Sequence, residues 1–304
     1  MIISLINLKE KLLIIGGSGL VGSTIISNIH NYYDIKFTYN KNKFVHPDTE
    51  SFEVDLLNDR NIIANILEKF KPKYVIHTAA HPSVDLCETN HSLANKLHID
   101  VTHDIAKICN NINSKLVYFS TDAVFDGHIK KKYVESDLPN PVNHYGKTKL
   151  DAEKIILNES KDNVVLRTAV IYGWHKKSRF TNWIVDSLKE KKSVDPHVDQ
   201  FNTPTLVDDL SEAVVQILLM NISGLFHATG KTCVSRYEFA CLIADIFNLE
   251  KRLIKPVTSL EKKQDAPRSK FTCLDSSLLE SKIGFQFHDI DSGIRYIKKK
   301  SQNS

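Results

Sequence analysis

Leu12-Leu13-Ile14-Ile15 runs directly into Gly16-Gly17-Ser18-Gly19-Leu20-Val21-Gly22, and helical periodicity follows from Leu20 to Ile29. A short, unbroken apolar run suits a strand buried on both faces of a parallel sheet. The glycines at 16, 19 and 22 make G-x-x-G-x-x-G. Tight backbone at Gly16 and Gly19 lets main-chain N–H groups approach a diphosphate, and the helix N-terminus adds favourable partial charge. Gly22 lets the helix lie close to the strand. Strand, glycine turn and helix in this order point to dinucleotide binding, with Gly16, Ser18, Gly19, Leu20, Val21 and Gly22 as cofactor-binding candidates. The spacing differs from the commoner G-x-G-x-x-G.

The same alternation continues. Strand-like runs occur at 35–39, 50–54, 74–77, 116–119 and 164–166, and helical patterns at 58–70, 91–112 and 147–157. Pro72 stops the first of these helices, and 91–112 reads as one long amphipathic helix. This β-α order predicts a doubly wound parallel α/β sheet, a Rossmann fold. From about 173 the pattern changes to helices at 180–188, 208–220 and 237–247, joined by short strands and loops such as 224–227. Ser235 with Glu238 makes a capping box for the last. At about 150 residues per domain, 304 residues suit two domains or one large α/β unit. We therefore expect a dinucleotide-binding domain over 11–172, with 203–229 returning to it. A smaller C-terminal substrate lobe is expected from 173–202 and 230–300.

The end of the second strand distinguishes the dinucleotides. An acid there binds the ribose 2′-hydroxyl of NAD. The chain reads Tyr39-Asn40-Lys41-Asn42-Lys43, without an acid. Lys41 as a partner for a 2′-phosphate favours NADP(H), with NAD(H) left open; the alternative is a solvated lysine loop. Further on, Tyr145 and Lys149 form Y-x-x-x-K and share a face once helical. An ammonium beside a phenol favours the phenolate, so such a tyrosine can exchange a proton with a ketone oxygen near neutral pH. Phe119-Ser120-Thr121-Asp122 closes the fifth strand at its carboxyl end, where doubly wound folds bind ligands. There Thr121 can hydrogen-bond a carbonyl undergoing reduction.

With these pieces the chain resembles the extended short-chain dehydrogenases/reductases, and more narrowly the dTDP-4-dehydrorhamnose reductase family. The matching stretches include 16–22, His77-Thr78-Ala79-Ala80, 120–127, 145–149, Asp199-Gln200 with Thr203-Pro204-Thr205, and Pro267-Arg268 with Leu274-Asp275. The resemblance implies hydride transfer from NADPH to the 4-keto group of a nucleotide-linked deoxysugar, as in dTDP-rhamnose biosynthesis. It implies Thr121, Tyr145 and Lys149 as catalytic residues: Thr121 polarises the carbonyl, Tyr145 gives the proton, and Lys149 lowers the tyrosine pKa and holds the nicotinamide ribose. Asp55 and Leu56 would flank the adenine, and Ala79, Ala80 and His81 would line the cofactor. Thr121, Asp122, Ala123 and Gln200 would meet the substrate, and the segments 167–172 and 199–205 would face nicotinamide or sugar. It also implies a homodimer through 91–112 and 147–157. Two positions depart from the family: Ala123 stands where a tyrosine is frequent, and His98 where relatives carry asparagine. His98 either orders a water or packs at the surface. The chain also resembles the non-catalytic regulatory β subunit of methionine adenosyltransferase, in 143–153 and 237–245. A nucleotide-sugar epimerase is a third reading, against which the missing acid argues.

Composition narrows the rest. The net charge of +4 is too mild and too scattered to indicate a nucleic-acid partner; only Lys298-Lys299-Lys300 cluster, as expected of a solvated tail. No apolar run reaches the ~18 residues of a membrane span. Met1–Leu8 is apolar, but charge follows it, the reverse of a secretory signal. The five cysteines, at 87, 109, 233, 241 and 273, are widely spaced and include no C-x-x-C pair. We expect free buried thiols in a reduced cytoplasm rather than disulfides or zinc. His77 and His81 lie across a strand end, and no metal site is expected.

Overall fold

The structure, a computed structural model, describes residues 9–302; Met1–Leu8 lies outside them. Six strands, β1 (Glu10–Ile15), β2 (Tyr33–Tyr39), β3 (Glu50–Glu53), β4 (Tyr74–His77), β5 (Lys115–Thr121) and β6 (Val164–Thr168), join the strand Gly224–His227 in one sheet. The spatial order is 224–227, β6, β5, β4, β1, β2, β3, with every pairing parallel. The doubly wound expectation holds. Chain order reverses between β1 and β4, and the crevice at their carboxyl ends is where such sheets take ligands.

The apolar run of β1 is explained by its two faces. Leu12 and Ile14 pack with Ile25 and Ile26 of α1 (Leu20–Ile29), while Leu13 and Ile15 face the opposite layer. That layer holds α2 (Arg60–Phe70), and beyond the short helices α3 (Val84–Thr89) and α4 (His91–Asn95) it holds α5 (Val101–Asn111) and α6 (His144–Glu159). α7 (Arg179–Lys189) leads the smaller lobe. α8 (Val207–Leu219) returns to pack beside α1 in the first layer, and the strand 224–227 extends the sheet at β6. α7, α9 (Arg236–Phe247) and α11 (Ile290–Gln302) enclose a separate core of Ile184, Leu188, Phe239, Ile243, Ile294 and Ile297. α10 (Ser277–Ile283) sends Leu279 and Ile283 into the core of the main sheet. The capping box forms at Ser235 and Glu238.

Two expectations are corrected, and a third, the solvated lysine tail, is narrowed to a helix whose Lys299 and Lys300 stay exposed. The helix expected over 91–112 is interrupted by a π turn at Lys96–Asp100. The wider i→i+5 turn keeps the helical pattern of apolar residues, so periodicity does not reveal it. The lysine cluster near the end is helical: Ile294 and Ile297 are buried, Lys298 reaches the Ile246 carbonyl, and Lys300 pairs with Asp208. Finally, Cys233 and Cys273 form a disulfide, with Cα atoms 5.6 Å apart, against the expectation of free thiols. The strand Phe201–Asn202 explains it. Val234–Ser235 pairs with this strand on one side and Phe271 bridges Phe201 on the other, so cysteines 40 residues apart in sequence meet. Cys87, Cys109 and Cys241 are free.

Among the described residues no helix is long and apolar enough to cross a membrane. Closing a loop of this length with a disulfide contributes about 2–4 kcal/mol. Cys273→Ser is therefore expected to lower unfolding free energy by about that amount in urea titrations without reductant. Equal stability of the two proteins under those conditions would contradict it.

Candidate active site

The crevice begins at the glycine turn. Gly16 has φ +86°, and a Cβ there would stand 2.9 Å from the Ala79 nitrogen and the Thr78 hydroxyl. A Cβ at Gly22 would stand 2.7 Å from the Gly16 carbonyl oxygen and the Gly17 Cα. The strand end, the turn and the first turn of α1 can come this close only without side chains. Gly19 is the N-cap of α1, without a side-chain cap, and the first turn carries no acid. Such an end suits an anion.

Two clefts meet over this turn. One, of about 430 Å³, is bordered by Gly16, Ser18, Gly19, Asp55, Leu56, Ala79, Ala80 and His81. The structure thus gathers most of the expected cofactor positions around one volume. The second, of about 640 Å³, adds Leu20 and Val21. Gly22 acts beneath them, through packing. Lys41 is exposed and outside both linings; Asn40 and Asn42 border the first cleft instead. Lys177, which sequence reasoning missed, borders both. The linings have the extent and the close backbone approach that a dinucleotide needs.

Beyond Pro82, which borders each of these volumes, lies a cavity of about 240 Å³. Thr121, Asp122, Ala123, Tyr145 and Gln200 line it, together with Asn202 of the expected 199–205 segment and with Arg236, Arg268 and Thr272, to which the sequence assigned no site role. The Asp122 carboxylate accepts hydrogen bonds from Thr121 Oγ1 (3.2 Å), Asn202 Nδ2 (2.7 Å) and Thr272 Oγ1 (2.5 Å). Burial raises its pKa, and Thr272, the Arg236 charge, Asn202 and Thr121 oppose the rise. Burial pulls the Arg236 guanidinium down to about 10, Asp122 opposing and Arg268 adding to the fall. Arg236 opens α9 at its positive end, where a cation is unfavourable. That local mismatch was the one signal in the sequence of a role outside the helix.

Tyr145 and Lys149 share a face of α6, yet the phenol is not lowered. Burial pushes the Tyr145 pKa upward, Asp122 adds to it, and a hydrogen bond with Thr121 only partly offsets the two. The i,i+4 spacing predicts a phenol lowered by Lys149, and burial with Asp122 overturns it. Lys149 instead donates to the Phe119 carbonyl at 2.6 Å and sits 4.0 Å above the Tyr118 ring. Burial lowers its own pKa to about 7, Glu153 opposing. Arg167 also turns away from the crevice, pairing with Glu153 at 2.7 Å inside the protein. Gln200 Nε2 is engaged by Ser259 and Gln264.

The family described as the RmlD substrate binding domain matches residues 10–302. The chain belongs to this family. It is similar to methionine adenosyltransferase 2 subunit beta of Bos taurus, 32% identical over 285 residues, covering 90% of this chain and 82% of that one. It is also similar to dTDP-4-dehydrorhamnose reductase of Aggregatibacter actinomycetemcomitans, 28% identical over 299 residues, covering 95% and 98%. Among solved structures, a dTDP-4-dehydrorhamnose reductase ortholog from Clostridium acetobutylicum superposes with TM-score 0.83 at 28% identity, covering 96% and 99%. The fold is shared with dTDP-4-dehydrorhamnose reductase from Bacillus anthracis in complex with NADP, at TM-score 0.87 and 24% identity, covering 96% and 100%.

In this RmlD-family chain His98 is not at the surface. The π turn carries it inward, to 1% exposure, against the edge of the Tyr145 ring. The His81 N–H donates to Nε2 at 3.0 Å, so the ring proton is on Nδ1 and faces Thr148 Oγ1 at 2.9 Å. Thr148 in turn donates to the Tyr145 carbonyl. His98 therefore ties the wall at His81 to the helix that carries Tyr145. Burial, with Lys149 and neighbouring histidines adding, lowers its pKa to about 3. Buried His77 and His227 also fall to about 3.

These depressed values set the sign of a pH effect. The unfolded chain protonates its histidines near the ordinary value of ~6.5, so stability is whole above that pH and falls as pH drops toward the folded-state value. Each such histidine steepens the fall by about 1.4 kcal/mol per pH unit. Urea unfolding from pH ~6 to ~4 is expected to lose about that much slope in His98→Asn. An unchanged slope would mean that folded His98 takes up the proton.

Proposed function

We propose that the chain is an NADP(H)-dependent reductase acting on the 4-keto group of a nucleotide-linked deoxysugar. The observation that carries the reading is that Thr121 and Tyr145 share one cavity, which adjoins the glycine-turn clefts at Pro82. Kinship with reductases of that name supports the substrate class. The absence of an acid after β2 favours NADP(H) over NAD(H).

Bound nicotinamide would supply the hydride. Reduction of a ketone also needs an acid beside the carbonyl oxygen. Tyr145 is the acid we assign to that task; its phenol is held protonated by burial and Asp122, which also make it a weaker acid until substrate and cofactor are bound. Thr121 Oγ1 donates to Asp122 and accepts the Ala123 N–H, so turning its proton from Asp122 to a substrate oxygen gives a second donor. Lys149, one turn along α6 from Tyr145 and with its pKa lowered to about 7, is the group we assign to restoring the proton. The neighbouring volume of about 560 Å³ is bordered by Arg179, Arg236, Lys262 and Arg268 beside Phe180 and Trp183. Cations beside aromatic faces suit the diphosphate and base of a nucleotide.

The 32% identity to a methionine adenosyltransferase subunit supports a second reading, a dinucleotide-binding regulatory subunit without turnover. NADPH consumption at 340 nm with dTDP-4-dehydro-6-deoxy-L-mannose separates the two. The reductase reading expects turnover, with Tyr145→Phe lowering kcat/KM by about 10²–10⁴ while NADPH affinity stays within about twofold. NADPH binding without consumption would favour the regulatory subunit. Full turnover by Tyr145→Phe would remove the tyrosine from the chemistry.

A further inference from the structure

The turn between the sheet and α7 crosses over the glycine turn of α1. Its backbone is tied down at several points. Gly173 N–H donates to Ser178 Oγ (3.1 Å), Ser178 N–H to the His175 carbonyl (2.9 Å), and Asn182 Nδ2 to the same carbonyl (3.0 Å). Lys177 N–H donates to His175 Nδ1 (3.0 Å), which leaves the ring proton on Nε2, 3.3 Å from Ser23 Oγ in α1. Lys177 then extends its ammonium onto the Ser18 carbonyl, inside the glycine turn.

Its place along the crevice is informative. The residues common to both clefts are Gly19, Asn42, Thr78, Ala80, Pro82 and Lys177. Lys177 is the only charged residue at this boundary. One side holds the Asp55–Leu57 stretch, and the other holds Leu20, Val21 and Ile171. The middle of a dinucleotide is its diphosphate, and the middle of this crevice is Lys177. The second cleft also carries Lys176 and Arg179 and has no carboxylate in its lining. Burial, with Lys176 adding, lowers the Lys177 pKa, a cost that a bound anion reverses.

We propose that Lys177 is a cofactor latch: its ammonium leaves the Ser18 carbonyl for the diphosphate of the bound dinucleotide and holds it against the glycine turn. This rests on the reading of the crevice as a dinucleotide site. The backbone of the turn is already fixed, so only a flexible four-carbon side chain moves. The turn leads straight into α7, so the same contact joins the cofactor to the smaller lobe. The role assigned to Lys41 in the sequence concerned a 2′-phosphate at the far end; Lys177 recognises what NADPH and NADH have in common.

The test is the dissociation constant of NADPH and of NADH, measured by calorimetry at two salt concentrations on the full chain. Loss of one charge-assisted contact is expected to weaken both cofactors by about tenfold or more in Lys177→Met. Lys177→Arg should retain most of the affinity, and the salt dependence of binding should be shallower in Lys177→Met than in the parent. Lys161→Met, exposed in the turn before β6, controls for the loss of one surface charge, and unliganded melting curves establish that each variant is folded. Unchanged affinity in folded Lys177→Met would overturn the latch while leaving the dinucleotide site intact. A loss confined to NADPH would overturn the diphosphate assignment in favour of the 2′-phosphate. Absence of NADPH and NADH binding by the parent protein would overturn both the latch and the reading on which it rests.

Discussion

The Asp122 carboxylate is the point at which the separate parts of this chain meet. It belongs to the end of β5, yet two of its three donors come from far along the sequence, Asn202 at 2.7 Å and Thr272 at 2.5 Å. The Arg236 charge faces it from the start of α9. A buried carboxylate without such partners would be costly. Here the donors compensate it, and in doing so they bring the sheet, the strand 201–202 and the C-terminal segment around one cavity. The same carboxylate adds to the upward shift of the Tyr145 phenol and accepts the hydrogen bond of Thr121. Assembly of the lobes and tuning of the acid are thus two effects of one group.

Backbone proximity imposes the second constraint. The absent side chains at Gly16 and Gly22 allow β1, α1 and the wall after β4 to converge. Everything that follows the glycine turn is placed relative to that convergence. His98 braces the His81 wall against α6, Lys149 is held at the Phe119 carbonyl, and Lys177 spans the turn from the opposite side. His98 and Lys149 are buried and tied to backbone at His81 and Phe119, whereas the Lys177 side chain reaches the Ser18 carbonyl from the surface of the crevice and can swing.

The central sheet was readable in the sequence because its strands, buried on both faces, leave continuous apolar runs, and because glycine and proline punctuate them. The expected cofactor positions from Gly16 to Val21, and from Asp55 to His81, gather around the crevice because they all fall at carboxyl ends of strands in one parallel sheet. What was not readable depends on long-range geometry. The π turn at 96–100 changes which way His98 points without changing the periodicity. The Cys233–Cys273 bridge exists because both segments flank the strand 201–202, a relation no spacing rule contains. The upward shift of Tyr145 comes from burial and from Asp122, whereas the i,i+4 spacing shows only Lys149. Lys41 has the expected residue type in the expected loop but faces solvent, while Lys177 arrives from a turn more than a hundred residues away.

The central claim is that the dinucleotide crevice and the Thr121–Tyr145 cavity serve a single hydride transfer to a sugar ketone. The most direct measurement uses NADPH deuterated at the transferable position, with dTDP-4-dehydro-6-deoxy-L-mannose as acceptor, and reads the sugar product by NMR. The account predicts one deuterium at C4 of the sugar and oxidation of an equal amount of cofactor. Recovery of the keto sugar unlabelled, with the cofactor bound and unoxidised, would contradict it.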